Sequence, residues 1–124
     1  MAQGEEEYYE IAVNLDIQRV GATEMDAVIK GNDIYLSVNQ LFSFLKINNT
    51  LARDLNSIEG FFISKDQKYT ISRTENTIDF SSEQIQLKAG DLIKTEFDLY
   101  LLSDYFGSVF GLDCIFNFST VFIC

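Results

Sequence analysis

The sequence predicts an α+β domain that is β-rich and built as two related strand–helix halves, with short helices packed on antiparallel hairpins. Three observations predict it. Short runs of alternating apolar and polar residues recur about every eight positions, which is a meander's rhythm and not that of βαβ units. Twice the apolar spacing lengthens to three or four residues, once from Val38 and once from Leu102. Both stretches follow similar segments: Asp33-Ile34-Tyr35-Leu36 and, sixty-five positions on, Asp98-Leu99-Tyr100-Leu101.

Taken in order, residues 1–8 read as a flexible acidic tail, and 9–124 as a single domain. From Tyr9, Ile11, Val13, Leu15 and Ile17 alternate with Ala12, Asn14 and Asp16, the pattern of a half-buried strand. Arg19-Val20-Gly21 makes a turn, and Met25, Ala27 and Ile29 continue the alternation. Lys30-Gly31-Asn32-Asp33 is a second turn, leading to a strand at Ile34–Leu36. Val38, Leu41, Phe42 and Leu45 then predict a helix over 38–46. Ser37 and Gln40 are spaced as a capping box, and Asn48-Asn49 is expected to supply a left-handed stop.

Residues 48–58 carry no clear period. Strands are expected next at Phe61–Ser64, Tyr69–Ser72, Thr77–Phe80 and Ile85–Leu87, with Ala89-Gly90-Asp91 as a further turn. After the strand Asp98–Leu101, residues Leu102, Tyr105, Phe106, Val109 and Phe110 predict the second helix. Ser103 is expected to cap it, Asp104 sits at its positive end, and Gly111 stops it. Cys114–Phe118 reads as a closing strand. The helices are expected to bury Leu41, Phe42, Leu45, Phe106, Val109 and Phe110.

The composition excludes several function classes. Nine basic against nineteen acidic residues give a net charge of −10, which repels nucleic-acid phosphates. No apolar run is long enough for a membrane-spanning helix. Without a single histidine, Ser-His and Cys-His nucleophiles cannot be built. Nor is there a glycine-rich phosphate loop, so neither catalysis nor a cofactor is expected.

Asp26, Asn32 and Asp33, or Asp98 and Asp104, offer oxygens for calcium but lack the dense loop of a strong site. Turn and capping roles account for them, and no metal is expected. Cys114 and Cys124, ten positions apart, need a turn between them to bridge, and read as small buried hydrophobes. The sequons at Asn48 and Asn117 read as coincidence.

Of the aromatic residues, two adjacent pairs stand out: Tyr8-Tyr9 and Phe61-Phe62. Neighbours on a strand point to opposite faces, so one of each pair is expected at the surface. With Phe118 and Phe122 of the closing run they form the candidate interaction surface. The run Phe116–Ile123 is read as an unfinished last strand, an edge for another strand to complete. Met1 before a small, acidic segment is read as a mature exported protein without its leader. The apolar ending Val121–Cys124 is read as a piece excised from the N-terminal part of a longer chain.

From Thr70 to Phe116 the order runs strand, turn, strand, the turn Leu87–Asp91, Leu99-Tyr100-Leu101-Leu102, a helix ending Val109-Phe110-Gly111-Leu112, and a final strand. This order resembles the copper amine oxidase N-terminal-like domain, a non-catalytic module of exported bacterial proteins. Tyr100, Leu101 and Gly111 match its pattern, as do Tyr35 and Leu36 in the first half. Ile47 stands where the matching Gly would fall, and the usual Pro and Trp are missing.

The resemblance covers residues 30–120. It implies a periplasmic or surface location and a role docking a neighbouring domain or partner protein in a cell-envelope or outer-membrane-associated assembly. The alternative reading is a polysaccharide-binding module for glycan or cell-wall polymer. Copper chemistry is not implied, because copper favours imidazole or thiolate ligands and the chain has no His.

Overall fold

The computed structural model describes residues 7–112, 115–117 and 121–123, with side chains described to Leu112. The chain is β-rich, with antiparallel strands and, among the described residues, two short helices. Its contacts divide it into two compact units.

The first unit comprises the described parts of Met1–Leu36 and Leu102–Cys124. It holds β1 (Tyr9–Ile17), β2 (Gly21–Lys30), β3 (Asp33–Ser37, which crosses into the second unit), β11 (Ile115–Asn117) and β12 (Val121–Ile123). The order is β11-β12-β1-β2-β3. β1 and β2 pair from Tyr9↔Ile29 to Ile17↔Gly21. The turn needs Arg19 at φ +71 and Gly21 at φ +133, a backbone that glycine takes at little cost. Alternation decides the faces: Val13, Leu15, Met25 and Ala27 are buried, while Glu10, Asn14, Glu24 and Asp26 are exposed. Gly31 at φ +63 closes the two-residue β2–β3 turn, and the Lys30 ammonium lies 5.5 Å from the Tyr35 ring centroid.

Two expectations for this unit are corrected. Residues 116–123 are not one unfinished strand. β12 lies between β11 and β1, parallel to β1 through Leu15↔Phe122 and antiparallel to β11 through Phe116↔Phe122. Both its sides are paired, so it offers no open edge. Ser103 precedes α2 (Asp104–Ser108) without a side-chain capping bond, because its own backbone is already helical. Its N–H donates to the Ile34 carbonyl at 2.9 Å. Gly111 stops the helix as expected, at φ +77. Phe106 and Phe110 are buried, whereas Val109 is only half-buried.

The second unit, Ser37–Leu101, holds α1 (Val38–Phe44), β4 (Thr50–Leu51), β5 (Ser57–Phe61), β6 (Lys68–Ser72), β7 (Thr77–Phe80), β8 (Glu83–Gln86), β9 (Leu92–Lys94) and β10 (Leu99–Leu102, whose last residue belongs to the first unit). β4 to β8 form an antiparallel meander in sequence order. β9, which carries no periodic signal, pairs with β10. The strand expected at Phe61–Ser64 lies earlier, at β5, because Phe62 to Gln67 form a loop. The Gln67 side chain closes that loop by accepting from the Ile63 and Ser64 amides. The strand expected at Ile85–Leu87 likewise begins two residues sooner, at Glu83.

α1 begins as its sequence dictates: Gln40 N–H donates to Ser37 Oγ at 3.1 Å. Its stop falls not at Asn48-Asn49 but at Lys46, φ +61. There Ile47 N–H reaches the Phe42 carbonyl at 2.7 Å, and Lys46 N–H the Ser43 carbonyl at 3.1 Å. These are the two bonds of a Schellman stop. Leu41 and Phe42 are buried and Leu45 half-buried. Phe42 packs edge-on against Tyr69 and Phe62, with ring centroids 5.3 and 6.0 Å away, over a core of Ile58, Ile71 and Ile78.

Candidate functional site

The residues nominated from sequence separate. Tyr8 and Tyr9 are both exposed, at 38% and 64%. The opposite-face argument fails for them because Tyr8 precedes the first strand. Phe61 and Phe62 are both half-buried. Phe62 lies just past β5 and turns inward, its ring 5.7 Å from that of Phe80. Phe118 lies outside the described residues, as do Cys114 and Cys124. Phe122 is described only through its backbone in β12.

In the second unit the meander builds a groove. Thr50 pairs with Glu59 and Glu59 with Thr70, which sets three side chains in a row across β4, β5 and β6. Phe61 pairs with Lys68 to set the next row two residues along. Strand alternation puts both rows on the face opposite the buried Ile58, Tyr69 and Ile71. The intervening pair, Gly60↔Tyr69, points the other way, so its backbone becomes a floor between the two walls. The groove is open to solvent, with a volume of about 310 Å³, and Asn48 lies at its margin, on the far side of the Gly60 backbone.

Gly60 is required at this floor. A Cβ there would overlap the Asn48 carbonyl oxygen and stand 2.7 Å from Asn48 Oδ1. The same carbonyl accepts the Tyr69 hydroxyl at 2.7 Å, and burial pushes the Tyr69 phenol above its ordinary range. Among the described residues, neither Glu59 nor Lys68 forms an ion pair.

A second feature of this unit is the turn joining β9 to β10. Thr95 N–H donates to the Asp98 carbonyl at 3.0 Å, and Phe97 N–H to Thr95 Oγ1 at 3.3 Å. Asp98, considered above for calcium, is buried and spends its carboxylate inside the protein. Oδ2 accepts from Ser37 Oγ at 2.6 Å and from Gln40 Nε2 at 3.4 Å, and Oδ1 accepts from Leu99 N–H at 2.8 Å. The turn is therefore tied to the start of α1, and it holds Phe97 at 81% exposure. Ile63, on the loop after β5, is 72% exposed. Neither residue was nominated from sequence. The available signal was an apolar residue between polar neighbours where no period was running.

Among the described residues no three His, Cys, Asp or Glu side chains gather as a metal site, and no helix is long and apolar enough to cross a membrane. No family model, curated protein or solved structure matches the chain.

Proposed function

We propose that the chain is a non-catalytic interaction module of a bacterial cell-envelope protein, exported to the periplasm or surface, which docks a neighbouring domain or a partner protein. The observation that carries this reading is Phe97. An aromatic ring at 81% exposure stands on a turn whose backbone is held through Thr95 and the buried Asp98, so little backbone freedom is lost when a partner covers it. Ile63, on the loop after β5, is a second exposed apolar side chain. The absence of histidine from the sequence supports the non-catalytic part.

Kinship with the copper amine oxidase N-terminal-like domain rests on the two-half pattern. Ile34-Tyr35-Leu36 and Leu99-Tyr100-Leu101 each lead into a short helix. The helices stop on left-handed residues at Lys46, φ +61, and Gly111, φ +77, separated by the same sixty-five positions. In this reading Lys46 is the counterpart of Gly111, one residue before the Ile47 expected at the glycine position. The polysaccharide alternative calls for a row of coplanar exposed rings, and Phe62's inward turn gives it no support.

The test is site-specific photo-crosslinking of the full-length protein in its native envelope. A benzophenone side chain at Phe97 or Ile63 is expected to give one discrete adduct, absent when the probe sits at Glu83. Adducts independent of probe position would sink the proposal.

A further inference from the structure

We infer that the groove across β4, β5 and β6 is a binding site for a small zwitterion, one molecule carrying an ammonium and a carboxylate, such as a free amino acid or short peptide. Two observations converge on it. Glu59 stands on one wall and Lys68 on the other, at diagonal positions of one antiparallel pair, within reach of a single small ligand. And, among the described residues, the side chains of Thr50, Glu59, Lys68 and Thr70 that line the groove have no hydrogen-bond or ion-pair partner.

Their donors and acceptors are thus all available to a guest, unlike those of Ser37, Gln40 and Asp98, which are spent on one another. Glu59 accepts from the guest's ammonium and Lys68 donates to its carboxylate. The Thr50 and Thr70 hydroxyls flank the first contact, and the Phe61 ring, beside Lys68, covers an apolar side chain of the guest. The volume of about 310 Å³ lies at the small end of the range of ligand sites. The site is separate from the Phe97 turn and does not depend on the docking reading.

The experiment is an NMR titration of the whole chain with L-alanyl-L-alanine, its N-acetylated form, its C-terminal amide, and neutral maltose. The dipeptide is expected to give saturable shifts at Thr50, Glu59, Phe61, Lys68 and Thr70. Blocking either terminus, or making Glu59→Gln or Lys68→Met, is expected to weaken binding about tenfold or more. The exchange Glu59→Lys with Lys68→Glu restores binding in reversed orientation, which separates charge recognition from damage to the fold. Gln84→Ala, on the same face but outside the groove, leaves binding unchanged. An absence of saturable shifts at millimolar dipeptide overturns the inference. So does maltose binding as well as the dipeptide, or single charge variants that leave affinity unmoved.

Discussion

Gly60 has no side chain, and the Asn48 carbonyl uses the room. Replacing it with alanine must push Asn48 away and break the bond that Tyr69 makes to the same oxygen. Gly60→Ala is therefore expected to cost roughly 1–3 kcal/mol by urea unfolding. A variant as stable as the parent would show that the Asn48 backbone yields freely. Tyr69 adds a pH dependence. Its phenol is held above the ordinary value of 10.0 by burial, so below that pH the hydroxyl is protonated whether the chain is folded or not. As pH rises further, the unfolded chain loses this proton while the native one keeps it. The stability contributed by neutral, hydrogen-bonded Tyr69 is lost progressively. Tyr69→Phe should cost about 1 kcal/mol at neutral pH and should flatten the alkaline limb of the stability curve. An unchanged alkaline limb counts against the assignment.

At the scale of elements, the starts of helices were more legible than their stops. Ser37 announces α1 because its hydroxyl can do one local job, accepting from Gln40 N–H. The stop was misplaced onto Asn48-Asn49 because asparagine tolerates a left-handed backbone, yet it is Lys46 that adopts one. Propensity lost there to two tertiary demands: Ile47 must be buried, and the Asn48 carbonyl must meet Tyr69. Lys46→Gly is accordingly expected to stabilise the protein by about 0.5–1 kcal/mol, read as a raised Tm. A lowered Tm would mean that the lysine side chain contributes more than its backbone costs. β5 was misplaced for a related reason. The apolar Phe61-Phe62-Ile63 attracts a strand assignment, whereas the real strand passes through Gly60, whose value lies in its backbone. The groove could not be read from the sequence at all, since Thr50, Glu59, Lys68 and Thr70 become neighbours only once the register of three strands is fixed.

At the scale of the whole molecule, hairpins set by Gly21 and Gly31 and the alternation of β1 and β2 were legible, being local in sequence. The pairing of β1 with β12 was not, because nothing near Leu15 announces that Phe122 will lie alongside it. That pairing bears on how the chain folds. β1 and β2 are neighbours in sequence and can join at once, but the other flank of β1 waits for a segment about a hundred residues further on. Until that contact closes, one flank of β1 is an unpaired strand edge, open to pairing with a neighbouring chain. Closing so distant a contact slows the last stage of folding.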